Sequence, residues 1–465
     1  MNPCAAMPST NVVSWRTFTE PKRLAAGYGL CLLVWAVSPA WAQREVRIRT
    51  LVETQLPFVT TCVAPAARFA SVSDVAGVLA VGHRPGSAAH VSIFRLDDQG
   101  QMAAGEPVAL TLPKPASLND RPNHVLGLVC HPRFPLLYVW QDVAPPAQPD
   151  VTIDPALSAE FDHLLIYGLD ETPPKLLLAT ARGADFHCGA VSAGFAFDSV
   201  AGRLYVPNMQ QPGPMKKPVP AIGWIRIAPD GLPAFDDPSP QPNAAAGAVT
   251  TLVASAPGSL AVVMAPQDAV ASRAARLAAM DVSKASGIVP VLSKYLESPT
   301  LMFGDWPCPF SYAPVSDDAV LMAGHAGPVS WVLSDRLGRF GAFYLSPYVP
   351  YRHRIGAHPR LPAAYLTFVT FDGRILRMEL ADGYITLAPQ TVSLDNTVIY
   401  SPPLVLTKTN QVVVGAAGFV GFVELDEQGR FQAKGQRMTV NNPTVEAFAW
   451  SERFGKLYVP LEKTP

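Results

Sequence analysis

Apolar and polar positions alternate in short runs along most of this chain. "HVSIFRLD" (90–97), "HLLIYGLD" (163–170) and "GFVGFVELD" (418–426) share a grammar of β-branched, aromatic and aliphatic residues in strand-length stretches. Each run stops at a turn built from Pro, Gly, Asp or Asn, where the backbone bends, and a new run follows. A 3.6-residue period is absent apart from a short candidate turn at 271–279. The pattern predicts many short strands and no substantial helix.

The runs are organised as repeats. "HPRFPLLYV" (131–139) returns as "HPRLPAAYL" (358–366), "GRLYVP" (202–207) as "GKLYVP" (455–460), and "LDDQG" (96–100) as "LDEQG" (425–429). Units of roughly 40 to 70 residues emerge, the period of propeller blades. Seven units run from residue 69 to 429, the fourth (about 249–282) being the weakest. Half a unit follows at 445–460, and 45–53 alternates like a strand with no partner near it. The expectation is therefore an all-β fold, a single β-propeller of eight blades. Its ring would be closed by strands from both termini, 45–53 lying beside 445–460, which removes an exposed edge. Seven blades is the alternative if the fourth unit is an insertion.

The first 42 residues read as a signal peptide rather than as structure. Lys22 and Arg23 flank an apolar run at 24–37, and Ala40-Trp41-Ala42 has the small-x-small form of a cleavage site. Cleavage would fall before Gln43, leaving 43–465 as the propeller domain, exported to the periplasm or beyond. A run of about 14 apolar residues is short for a bilayer, which needs roughly 20, so a retained anchor is the lesser reading. Cys31 lies within the apolar run, so a lipid anchor after the cut is not supported. Cys62, Cys130, Cys188 and Cys308 remain in the mature chain. Buried thiols and one disulfide both stay open, and no C-x-x-C unit suggests zinc or haem.

Composition narrows the partners. With 36 basic and 37 acidic residues in 465, the net charge is −1, so no field of one sign is available to hold a nucleic-acid backbone. At 49% apolar and 16% charged the chain is too apolar for disorder, and 47 prolines suit many strands joined by rigid turns. There is no G-x-S-x-G elbow, P-loop or dinucleotide fingerprint, and no cofactor is expected. "DDQG" and "DEQG" lack the ligand series of a calcium loop and read as solvated turns. His131 and His358 hold equivalent repeat positions, as do His83 and His325, which points to structural roles; no metal site is expected.

The phrases "VCHPRFPLLYVWQ", "FAFDSVAGRLYVPN", "SIFRLDDQGQM" and "FVELDEQGRF" resemble the blades of bacterial lactonase-type, YVTN-like propellers. The resemblance covers most of the mature chain but belongs to the blade. It implies a propeller and, as a possible activity, lactone hydrolysis. In that family a "P-H-x-H" segment precedes an inner strand; here "PNHV" (122–125) keeps only its second histidine, His124. Independently of the family, loops leading into innermost strands carry His124, His187, Asp305, His353 and Arg354, the candidate ligand-binding set, with Asp395 and Asn442 nearby in type. A histidine base and an arginine holding an oxyanion are what lactone opening requires. No complete catalytic set is visible, so catalytic residues stay unassigned. The favoured reading is a binding protein for a protein, glycan or small molecule over the channel face, with a sugar-lactone hydrolase as the alternative.

Overall fold

The computed structural model describes residues 15–17, 44–48, 51–64, 67–83, 90–110, 112, 123–143, 162–179, 196–198, 202–210, 219–229, 232–234, 241–242, 248–256, 259–265, 275–281, 291–298, 311–316, 319–324, 327–332, 340–343, 353–368, 373–381, 384–385, 390–394, 397–440 and 445–461. Among them there is no helix, as the alternation predicts. The candidate turn at 271–279 instead enters a strand, Ala275–Asp281, whose alanines and leucine extend because strands pair with it on both sides.

The described strands form eight sheets, taken up in chain order. The first holds Ala67–Ser73, Val78–His83, Val91–Arg95 and Val108–Leu110, each antiparallel to the next. The second holds Asn123–Cys130, Leu136–Val143, Asp162–Gly168 and Lys175–Ala179. The third, fourth and fifth open with Ala196–Asp198, Ala248–Ala256 and Ser311–Ser316. The fourth, weakest in sequence, has four paired strands, while the third and fifth on either side have five each. The sixth opens with His353–Ala357 and the seventh with Leu404–Leu406. The eighth has two strands of its own, Ala449–Ser451 and Lys456–Leu461.

Burial explains which runs alternate and which do not. Every residue of Val78–His83 and of Gln411–Ala416 is buried, because a second strand has a neighbouring sheet on each face. The fourth strand Phe431–Thr439 lies further out and mixes buried with exposed positions. The hydrophobic core is accordingly split into layers between sheets. Val78, Ile93, Val125, Val139 and Leu165 fill the layer between the first and second sheets. Tyr365, Val392, Val412 and Phe431 fill that between the sixth and seventh. Leu79, Val81, Phe94, Ala449 and Tyr458 fill one between the eighth and the first.

The N-terminal segment runs beside the last three sheets in turn, always parallel to the strand it meets. Arg44–Arg47 pairs with Gln390–Ser393 of the sixth sheet and Leu51–Glu53 with 435–437 of the seventh. Val59–Val63 pairs with 457–461 of the eighth. The expected pairing of 45–53 with 445–460 is thereby corrected: Val59–Val63 completes the half unit. Its alternation suits that edge, since Thr60 and Cys62 are buried while Thr61 and Val63 are exposed. Parallel pairing needs no turn between the partners, so no local signal marks it in sequence. Glu53 fastens the middle of the segment, its carboxylate accepting from the Thr439 amide (2.8 Å) and from Arg437 Nε (2.9 Å). Trp15–Thr17 lies antiparallel beside Phe340–Phe343 of the fifth sheet.

Two deletions separate these roles. Removing 44–53 strips added strands from two complete sheets, and thermal unfolding should stay cooperative at a lower midpoint. Removing 44–63 also leaves the eighth sheet with two strands and an open edge, and should abolish the cooperative transition. Calorimetry on both variants distinguishes the outcomes.

Candidate functional site

The structure places part of the predicted site. His124 is the second residue of Asn123–Cys130, opposite Asp142; His353 and Arg354 open His353–Ala357, opposite Phe368 and Thr367. His187, Asp305, Asp395 and Asn442 lie outside the described residues. All three located residues stand within the first strand of a sheet, at its leading end, rather than in the loop before it. First strands are where successive sheets meet: Ala67–Ser73 packs on Asn123–Cys130, Ser311–Ser316 on His353–Ala357, and Ala449–Ser451 on Ala67–Ser73.

Counting back from the turns adds residues that motif reading missed. The turn after each first strand begins at an equivalent residue: Ser73 pairs with Val78, the His358 amide bonds the Ala363 carbonyl, and Ser451 pairs with Lys456. Five positions earlier lie Arg68, His353 and Glu446. An arginine, a histidine and a carboxylate thus hold the same count from the turn in three sheets, although Arg68 falls at a bulge and Glu446 precedes the ladder strand. Arg68 and Glu446 are half-buried. The signal was in the sequence, but it appears only when positions are counted from the turn.

The turn residues do one job with two chemistries. His131 Nδ1 accepts from the amides of Arg133 (3.0 Å) and Phe134 (3.1 Å), and His358 Nδ1 accepts from Arg360 and Leu361, both at 3.1 Å. Ser73 Oγ accepts from the Ala76 amide and Ser451 Oγ from that of Phe454. An imidazole used this way must keep Nδ1 unprotonated, which fixes the Nε2–H tautomer. Burial, with Arg133 nearby, lowers the His131 pKa to about 4. Burial and then Arg360 and Arg377 lower that of His358. The repeated histidines are structural, as expected. His83 is buried too, its Nε2 2.8 Å from Ser92 Oγ.

Seven residues beyond each turn histidine comes a buried tyrosine. Tyr365 donates to the Gly429 carbonyl (2.7 Å) and, at the matching place in the eighth sheet, Tyr458 donates to that of Gly100 (2.9 Å). Gly100 and Gly429 are the glycines of "DDQG" and "DEQG", with φ of 68° and 70°. In each turn the aspartate, Asp97 or Asp426, accepts from amides two and four residues on. The reading of these turns as merely solvated is corrected: their inner carbonyls hold adjacent sheets together. Arginines make the same reach. Arg377 donates to the carbonyls of Gly429 and Gln428, and Arg95 to those of Leu169 and Glu171 in the second sheet.

Cys62 and Cys130 are free and buried, and burial pushes both thiols up to about 12, far from a reactive thiolate. Cys188 and Cys308 lie outside the described residues. Among the described residues no group of His, Cys, Asp or Glu could hold a metal ion, and no helix is long and apolar enough to cross a membrane.

No protein-family profile matches the chain, and no curated protein matches it. Solved structures do. The Dos1 propeller matches at 10% identity over 85% of this chain and 90% of that one, with a TM-score of 0.47. The periplasmic gluconolactonase PpgL of Pseudomonas aeruginosa matches at 12% over 79% and 97%, with a TM-score of 0.48. The dihydro-heme d1 dehydrogenase NirN, in complex with DHE, matches at 16% over 84% and 68%, with a TM-score of 0.47. The chain thus resembles propellers, lactonase-type ones among them, at the level of blade repeats. At such identities the likeness concerns the fold and not the chemistry.

The turn histidines give a pH prediction. The unfolded chain takes up protons near pH 6.5 that the folded chain refuses, so stability present at neutral pH is lost as pH falls from about 6.5 toward 4. Asparagine can accept the same amide bonds without titrating. Denaturant midpoints of His131→Asn/His358→Asn should therefore fall less steeply over that range than those of the parent.

Proposed function

We propose that this chain is an exported β-propeller of eight blades, closed into a ring by its two ends, that binds a protein, glycan or small molecule over its channel face. The observation that carries the ring is the bond from Tyr458 to Gly100. It joins the last sheet to the first in the way that Tyr365 and Gly429 join the sixth to the seventh. Asp74 strengthens the same joint, accepting from Ser451 Oγ and from the Arg453 amide. A joint between the two ends of the chain that repeats the joint between consecutive sheets is what a closed ring requires.

Export is supported by the basic flank, apolar run and Ala40-Trp41-Ala42, and by the start of the first mature strand at Arg44. Loss of 1–42 removes Trp15–Thr17 and leaves the fifth sheet its own four strands. Binding at the channel is supported by the leading-end positions of His124, His353 and Arg354, with Arg68 and Glu446 as further candidates by their count from the turns. His187 and Asp305 belong to the same candidate set by sequence.

Closure is tested at the joint. Tyr458→Phe leaves a buried carbonyl without its donor and should cost about 1–3 kcal/mol. Gly100→Ala should cost more, because an added Cβ would lie 2.6 Å from Phe454 and φ is positive. If both variants melt like the parent, the ends do not close the ring.

Binding is tested with the mature protein against glycan and small-molecule panels by thermal shift, together with assays on sugar lactones. A ligand whose stabilisation is lost in His124→Ala, His353→Ala and Arg354→Ala, with folding retained, supports the channel site. Lactone turnover lost in those variants would replace binding by hydrolysis. A ligand retained by all three would move the site elsewhere.

A further inference from the structure

We propose that Asp142 and Asp162 are positioning residues for His124, the three forming one ionisable row that handles a proton at the channel site. This rests on the channel reading above and deepens it. Ladder register makes the row. In the second sheet His124 stands opposite Asp142, and Asp142 stands opposite Asp162 on the next strand. Residues directly opposite on antiparallel strands share a face, with Cβ atoms about 5 Å apart. Three residues distant in sequence thus stand side by side on three adjacent strands.

A β-bulge sets this register. Trp140 pairs with Gly127, but Gln141 pairs with Val125, so Leu126 is the extra residue. Had the strands kept step, Asp142 would face Val125, and His124 would face Val143. The bulge gives up a ladder position, and the pairing it yields is histidine opposite aspartate. Two carboxylates directly opposite repel each other, and a proton on the imidazole at the end of the row offsets that repulsion. A histidine governed in this way can take a proton from a water or a ligand hydroxyl and return it.

Other charged groups act on the row from outside it. The next position holds Gln141 opposite His163, on the other face. Ala67–Ser73 and Val78–His83 of the first sheet pack on Asn123–Cys130 and carry Arg68 and His83. His83 Nε2 is 2.8 Å from Ser92 Oγ, and the Arg68 guanidinium lies over the Phe69 ring, 5.2 Å from its centroid. Arg68 opposes a proton on His124. Asp142 favours it from the adjacent strand of the same sheet, and its effect dominates.

The experiment uses the proton itself as the probe. The full chain carries histidine labelled with 13C, and the His124 signal is identified by its loss in His124→Gln. Its titration midpoint should fall by about one unit in Asp142→Asn, and by less in Asp162→Asn, which lies one strand further away. Asparagine keeps the shape of aspartate, so both variants test charge. An unmoved midpoint in Asp142→Asn would overturn the proposal, as would an equal or larger fall in Asp162→Asn. A ligand lost in His124→Ala with the midpoint unmoved would uphold the channel reading and overturn this one. The expected shifts in a protein that binds none of the panel would uphold the row and count against the channel reading.

Discussion

A four-stranded sheet with apolar side chains on both faces cannot bury itself, so each sheet of this protein depends on the sheet beside it. The wholly buried second strands show the constraint most directly: Val78–His83 and Gln411–Ala416 have no solvent-facing side at all. Polar groups at the edges of those layers then have to be satisfied across the joint, since water is excluded there. The tyrosine hydroxyls do this by donating to glycine carbonyls of the next sheet, and arginine guanidiniums do it beside them. Glycine is needed at the receiving turn twice over. Its φ is positive, and a Cβ at Gly429 would sit 2.9 Å from the Tyr365 hydroxyl.

The same dependence explains the N-terminal segment. A half unit at the end of the chain exposes a strand edge, and strands that follow such edges in parallel cover them without any hairpin. Running beside the sixth, seventh and eighth sheets, the segment ties its own end of the chain to the other before entering the first sheet. The contacts of Glu53 with Arg437 and Thr439 are exposed, so they contribute to alignment more than to stability.

Function is the weaker inference because the repeated features are structural. Among the described residues, the histidines whose side-chain bonds are resolved serve turns or buried hydrogen bonds. His131 and His358 do with an imidazole nitrogen what Ser73 and Ser451 do with a hydroxyl. The proposed ligand set lies at the leading ends of the first strands, where one repeat differs from the next in residue type.

Alternation, turn chemistry and internal repeats were sufficient to show an all-β chain of repeated sheets, because the period of two and the turn residues act over a few neighbours. The structural role of His131 and His358 was legible too, since equivalent residues in repeats share surroundings. Three things were decided only by tertiary structure. The partner of the half unit is Val59–Val63 rather than 45–53, because parallel pairing across almost 400 residues leaves no local mark. The "DDQG" and "DEQG" turns hold sheets together, because their carbonyls meet tyrosines 358 and 64 residues away. Arg68 and Glu446 become candidates because their count starts from turns whose positions the ladders fix.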